Sequence, residues 1–378
     1  MSKSNRSKLH IAMFPWVAYG HFIPFLHLSN KLAHKGHKIS FLSPKGVQPE
    51  LENMNQFPNL IQFFPLVLPQ VDGLSPVTFS MTVGMAIKPK KLTKETTLEE
   101  AIELPPVYPS STVRFNVEET PALLVLAEDF GSGLSLQERM NKSMIGSDVV
   151  AFRSYRELDG PFLDYVAQES GKLVLLSGPR LPETKTQQLD DKWVTWLSQF
   201  EPGSVVFCAF GSQSELQKDE FQELVLGFEL CGLPFLVALK PPKGCSTVEE
   251  ALPEGFKDRV KGRGLVYGGW VPQQLLLHHP NIGCFVNHSG YGSMWEFLLS
   301  DCQIMLIPEI FYHILNTRLM VNELKIGVEV ERGKNWQVSK ESLNEAIEFV
   351  MNKDNETANL LRANRVKLKQ TFSKRDLQ

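Results

Sequence analysis

The sequence predicts an α/β fold of two domains built on parallel sheets, and three observations carry that expectation. Through the second half, short apolar runs alternate with helical patterns, as in a doubly wound sheet. Residues 10–66 open in the same way. Residues 177–188 (SGPRLPETKTQQ) have the proline, glycine and polar content of a linker. A chain of 378 residues is long enough for two cores. The boundary is therefore expected between residues 182 and 183.

The elements follow in order. Residues 10–14 read as a strand, and Phe25, Leu28, Ser29 and Leu32 then recur at helical spacing. Strands are expected at 38–43 and 60–66. The alternation then fails, because eight prolines from Pro65 to Pro121 and a basic KPKKLTK stretch leave no strand–helix unit. Regular structure is expected to resume near Leu134, with a strand at 148–153, a helix at 161–168 and a strand at 172–176. The first sheet is thus short of elements. In the second half, strands are expected at 205–210, 235–239, 264–267, 282–287, 303–307 and 327–330. Helices fall between them at 221–230, 293–299 and 314–323.

Composition narrows the function. A net charge of −3 gives no basic face for nucleic acid. The five cysteines are odd in number and widely spaced, with no CxxC, so reduced and mostly buried thiols are expected. The polar, basic start (MSKSNRSK) precedes a short apolar stretch broken by Pro15 and Gly20, which does not make a signal peptide. No apolar run is long enough to span a bilayer. A cytoplasmic protein is expected.

Ligands of open α/β sheets sit outside the carboxyl ends of the strands, and four loops there hold unusual residues. Gly20-His21 follows the first strand, where a histidine can serve as general base, although an isolated histidine is more commonly an ordinary helix residue. Phe210-Gly211-Ser212-Gln213 lets backbone N–H groups approach a phosphate. His288-Ser289-Gly290-Tyr291-Gly292-Ser293-Met294-Trp295-Glu296 places two glycines and a serine at a helix start, a ready anion site. His288 can add a donor, and Glu296 can accept from two ribose hydroxyls. Trp270-Val271-Pro272-Gln273 offers an indole as a stacking platform for a base, though a lone tryptophan is more often core.

A rival reading is a dinucleotide fingerprint, since Gly290-Tyr291-Gly292 follows a strand and Glu309 ends the next one. Trp295 argues against it, because the third glycine of that motif leaves no room for an indole.

The stretch from Trp270 to about His313 (WVPQQLLLHHPNIGCFVNHSGYGSMWEFLLSDCQIMLIPE and its continuation) resembles the signature box of plant secondary-product glycosyltransferases of glycosyltransferase family 1. Similarity extends to PWVAYGHFIPFLHLSNKLAHKGH and EPGSVVFCAFGSQSELQKDEFQELVLGFE, and SDCQI and LNTRL resemble the branch acting on flavonoid or anthocyanin glycosides. The resemblance implies a GT-B fold of two Rossmann-like domains facing a cleft. Residues 1–182 would bind the acceptor and residues 183–378 the UDP-sugar. It implies that Trp270 stacks on uracil with Val271 beside it, that Gln273 contacts the nucleoside and that Glu296 binds the ribose. His288, Gly290, Gly292 and Ser293, with Ser212, would hold the diphosphate, and Tyr312 and His313 fall at the sugar-contacting positions. His21 matches the catalytic base, which would deprotonate an acceptor hydroxyl as it attacks the anomeric carbon with inversion. No DxD motif occurs, so a metal-independent monomer that uses a UDP-sugar as donor substrate, with no further cofactor, is expected.

The chain departs from the family pattern in three places. The segment carrying the aspartate partner of His21 is missing between about Gly73 and Phe79, an internal deletion that leaves the N-terminal domain incomplete. Tyr312-His313 replaces an acidic residue and glutamine. The C-terminus, at FSKRDLQ, is shortened. The competing expectation is a catalytically impaired UDP-binding remnant; an oxidoreductase is the more distant one.

Overall fold

A computed structural model of the chain describes residues 8–13, 15, 19–66, 92–93, 95–129, 131, 133–176, 178, 188–211, 214–333 and 336–375. Its contacts define two compact units. The first comprises Met1–Met81, Ala151–Tyr155 and Val174–Pro182; the second comprises Thr82–Val150, Arg156–Leu173 and Glu183–Gln378. The units therefore do not meet at a single cut in the chain, as the expected domains do.

The first unit holds a parallel sheet of β1 (His10–Met13), β2 (Lys38–Pro44) and β3 (Ile61–Leu66), in that order. Helix α1 (Tyr19–His34) joins β1 to β2, and α2 (Gln48–Asn53) precedes β3. Phe22, Leu26 and Ala33 of α1 pack on Ile39 and Phe41 of β2, all with at most 2% exposure, which makes an apolar helix stripe cover one sheet face. The expected strand starts here agree to within one residue, and α1 begins at Tyr19, ahead of the helical spacing noted from Phe25.

Two short helices, α3 (Leu98–Ile102) and α4 (Thr120–Leu124), occupy the stretch where no regular element is expected. Thr97 caps α3 reciprocally with Glu100, the arrangement that satisfies two free N–H groups at a helix start. Helix α5 (Leu136–Ile145) is capped in the same way by Ser135 and Glu138. Strands β4 (Val149–Phe152) and β5 (Leu173–Leu176) form a separate two-stranded sheet around α6 (Arg156–Ser170). The expected elements there are thus present, with α6 starting five residues earlier.

The second unit is built on six parallel strands in the order β11-β10-β9-β6-β7-β8. These are β6 (Val205–Ala209), β7 (Phe235–Ala238), β8 (Gly264–Tyr267), β9 (Ile282–Asn287), β10 (Gln303–Leu306) and β11 (Val328–Glu329). Every residue of β6, β7 and β10 is buried, which explains why these strands read as continuous apolar runs. The helices are α7 (Asp191–Leu197), α8 (Lys218–Leu230), α9 (Phe256–Arg259), α10 (Gln273–Leu277), α11 (Tyr291–Leu298), α12 (Phe311–Arg318), α13 (Lys340–Met351) and α14 (Glu356–Arg375). Val206, Cys208, Val237, Cys284 and Val286 form one core with α8 and α13. On alternate residues, Phe207 stacks on Phe285 at 5.1 Å, and Phe285 meets Phe297 of α11 edge-on.

The strand order has a functional consequence. The chain runs outward from β6 to β7 and β8, then returns to β9 and runs the other way. The loops leaving β6 and β9 therefore lead in opposite directions, and such a switch point is where open α/β sheets hold their ligands.

Segment 110–119 packs on the end of this unit. Ser110 and Thr112 hydroxyls donate to Glu323, and the Arg318 guanidinium bridges Glu119 and Glu329. The Glu119 side chain is 1% exposed and that of Arg318 13%. Burial raises the Glu119 pKa, and the Asn116 N–H and Arg318 offset this only in part.

Among the described residues, no helix is long and apolar enough to cross a membrane. All five cysteines are free, and Cys208, Cys284 and Cys302 are buried.

Candidate functional site

The loops leaving β6, β8, β9 and β10 bring most of the singled-out residues together. After β9, Asn287 sends its amide to the Ala209 carbonyl of β6 at 2.9 Å and accepts the Ser289 N–H at 2.9 Å. This pulls the chain into a turn in which Ser289 adopts a left-handed φ of 66°. Asn316 holds the Ser289 carbonyl at 2.8 Å, and the Ser289 hydroxyl pairs with that of Thr317. Asn287, Asn316 and Thr317 were missed as site-building residues; the LNTRL stretch is the one sequence signal that points to the last two.

This turn fixes His288. Its Nδ1 accepts the Gly211 N–H at 3.1 Å, so the neutral ring carries its proton on Nε2. Burial lowers its pKa to about 4, and the ring stays neutral at pH 7. A Cβ at Gly290 would lie 2.4 Å from His288 Nε2 and one at Gly211 2.6 Å from it, so both glycines are required by close approach. Gly292 has open space around it.

Gly290 is the N-cap of α11, in extended conformation, so the helix begins at Tyr291 rather than near the expected Ser293. The positive end of its dipole lies at the carboxyl end of β9, from which the chain enters the helix. Gln273, first residue of α10, reaches across to this helix. Its amide donates to Ser293 Oγ at 3.1 Å and to Glu296 Oε2 at 2.6 Å. The Ser293 hydroxyl proton stays available to an acceptor. Before Gln273, Pro272 makes an inverse γ-turn, with the Gln273 N–H on the Val271 carbonyl at 2.8 Å. Val271 is buried there while Trp270 is 83% exposed, a flat indole presented to solvent.

Tyr312 and His313 are buried rather than open to a ligand, at 5% and 3% exposure. His313 Nδ1 accepts the N–H groups of Glu309 at 3.4 Å and Ile310 at 3.3 Å, and so caps α12. Its ring meets His288 edge-on at 4.7 Å and Tyr312 at 4.4 Å. Burial and the neighbouring His288 lower its pKa well below the usual value, and burial raises that of Tyr312. Among the described residues His313 Nε2 has no hydrogen-bond partner.

In the sequence Glu309 bears only on the rival fingerprint, and the structure gives it a different setting. It accepts the Ser214 hydroxyl at 2.6 Å, and burial raises its pKa to about 7. Trp295 is fully buried, edge-on to Phe372 of α14 at 5.5 Å, so the place of a third fingerprint glycine is filled by packing. No group of three or more His, Cys, Asp or Glu residues suited to a metal ion occurs among the described residues. Ser212 lies outside the described residues, as does the span near 73–79 where the deletion is expected. His21 lies in the first turn of α1 in the first unit, and its side chain is not among those described.

The model of the UDP-glucuronosyl and UDP-glucosyl transferase family matches residues 203–377. UDP-glycosyltransferase 79B6 of Arabidopsis thaliana is 44% identical over 433 aligned positions, covering 98% of this chain and 95% of that protein. UDP-glycosyltransferase 79B3 of the same plant is 45% identical, covering 97% and 93%. Among solved structures, an anthocyanidin 3-O-glucosyltransferase in complex with UDP superposes with a TM-score of 0.77 at 20% identity, over 98% of this chain and 95% of that one. Phytolacca americana UGT2 without ligand gives 0.77 at 18% identity, over 97% and 95%. At such identities the structures speak for the fold, and it is GT-B. Sequence identity of this extent, over nearly the whole of both chains, carries the family: the chain belongs to the plant UDP-glycosyltransferases of family 1, enzymes that transfer sugar from a UDP-sugar to plant metabolites.

Proposed function

We propose that this enzyme transfers a hexosyl or pentosyl group from a UDP-sugar, with inversion and without a metal, to a hydroxyl of a flavonoid or anthocyanidin glycoside. The observation that carries the donor half is the convergence of Gln273, Ser293 and Glu296 beside exposed Trp270 at the ends of β8 and β9. On this reading uracil stacks on Trp270 beside Val271, Gln273 contacts the nucleoside, and Glu296 takes the ribose hydroxyls. The diphosphate lies on the α11 N-terminus, with donors from Ser293, Ser212 and the backbone around Gly290 and Gly292, and with His288 Nε2–H. Those donors are aimed where charge grows on the departing UDP, and they stabilise it without reorganising. His21 removes the acceptor proton as oxygen attacks the anomeric carbon. The buried Tyr312-His313 pair shapes the sugar end rather than offering a carboxylate and amide to it. Residues 1–182 serve the acceptor and residues 183–378 the donor, in a cytoplasmic monomer with no cofactor beyond its donor substrate.

The flavonoid acceptor is supported by the LNTRL and SDCQI stretches and by the anthocyanidin enzyme among the structural neighbours. An internal deletion is supported by the 433 positions aligned to 79B6 against 378 residues here.

Calorimetric titration with UDP tests the donor site. Ser293→Ala removes one donor to a charged group and is expected to weaken binding by about 1.5–3 kcal/mol. Equal affinity in wild type and variant would remove Ser293 from the site. Turnover with UDP-sugars and flavonoid glycosides then tests the acceptor, and activity confined to other phenols would redirect that assignment.

A further inference from the structure

Glu309 and Ser214 close a circuit of contacts around the loops that leave β6, β9 and β10. The Gly211 N–H donates to His288 Nδ1 at 3.1 Å, and the His288 ring meets His313 edge-on at 4.7 Å. His313 Nδ1 accepts the N–H groups of Glu309 and Ile310. Glu309 Oε1 accepts the Ser214 hydroxyl at 2.6 Å, and the Ser214 N–H returns to the Gly211 carbonyl at 3.0 Å. Taken together, these contacts tie the loops after β6 and β9 to the turn after β10.

A carboxylate here needs a reason, because it would repel a bound diphosphate. The charges that face it are the Arg332 guanidinium, which follows β11, and Glu220 on α8. Arg332 is itself committed, donating to the Pro308 and Trp336 carbonyls. The Tyr312 phenol and the Cys208 thiol also lie within its field, and both are neutral at pH 7, since burial raises their pKa values. His288 and His313 are held neutral by burial. Around the circuit Glu309 is therefore the group poised to change charge near neutral pH, and a bound diphosphate would favour its protonated form.

We propose that Glu309 is a positioning residue for the donor: through Ser214 it holds the Gly211 loop against His288, and it takes up a proton when the UDP diphosphate binds. This inference rests on residues 288–293 being the diphosphate site. The sign follows from linkage. The complex binds more protons than the free enzyme, so UDP affinity is highest at low pH and falls as pH rises through neutrality. Protonation does not break the Ser214 contact, because either form of the carboxyl can accept the hydroxyl.

The test is calorimetric titration of the full chain with UDP at pH 6 and pH 8, using wild type, Glu309→Gln and Ser214→Ala. The terminal phosphate of UDP titrates alike in all three experiments, so differences between the proteins isolate Glu309. Between the two pH values, wild type is expected to lose about threefold more affinity than Glu309→Gln. Ser214→Ala is expected to bind about threefold more weakly than wild type at both pH values while keeping a pH dependence. A Glu309 with only a structural role would lower the denaturation midpoint of Glu309→Gln and leave its pH dependence parallel to wild type. Parallel slopes overturn the inference, and so does wild-type affinity in Ser214→Ala. Wild-type protein that binds UDP at neither pH overturns the diphosphate site itself, and this inference with it.

Discussion

Arg318→Ala is expected to destabilise the fold by about 3–5 kcal/mol, because it strands the carboxylate of Glu119 in a nearly dry site. The Glu119 side chain is 1% exposed, and Arg318 is the cation that bridges it to Glu329. The loss should also depend on pH, and its sign is fixed. Burial already raises the folded-state pKa of Glu119, and removing Arg318 raises it further. A group raised above its unfolded value favours the fold when protonated, and that contribution is lost as pH rises through the folded pKa. Urea midpoints of the variant should therefore fall further below wild type at pH 8 than at pH 5. Pairing Arg318→Met with Glu119→Gln should recover much of the loss, since the more deeply buried of the two carboxylates is then neutral. A double variant as unstable as Arg318→Ala would show that the arginine acts by packing alone.

His21→Ala is expected to lower kcat by about 10²–10⁴ while leaving UDP affinity unchanged. The first effect is the usual size of a general base. The second follows because the residues proposed for the donor site belong to the second unit and His21 to the first. Steady-state turnover and UDP titration on the same preparation separate the two effects. A variant that keeps kcat within tenfold of wild type would take His21 out of the chemistry. A variant that loses UDP binding would make His21 part of the donor site instead.

The sheet of the second unit was legible in the sequence because β6, β7 and β10 are buried on both faces. Runs such as Val205-Val206-Phe207-Cys208-Ala209 have no polar face to disguise them. The candidate site was legible where its residues lie close in sequence, as in Trp270 to Gln273 and His288 to Glu296. It was hidden where partners are distant. Asn287 reaches Ala209 across 78 residues, Ser214 reaches Glu309 across 95, and Arg318 reaches Glu119 across 199. No periodicity encodes such pairs. The Tyr312-His313 pair illustrates the limit: position alone does not show that His313 Nδ1 accepts the N–H groups of Glu309 and Ile310 and so caps α12. The α3 helix was missed for a different reason. The prolines around it dominated the reading, although Thr97-Leu98-Glu99-Glu100 carries the capping pattern in full.

The strand order of the second unit also bears on how the chain is made. β6 lies between β7 and β9, and the run from β6 through β8 is synthesised well before β9. Until Ile282–Asn287 leaves the ribosome, one edge of an entirely apolar strand has no partner, and such an edge invites pairing with other chains. The pairing of β9 with β6 covers that edge, and the same step brings Asn287 and His288 to β6. Substitutions that slow the docking of β9 should therefore show first as lost soluble yield during expression, before any change in the folded enzyme is measurable.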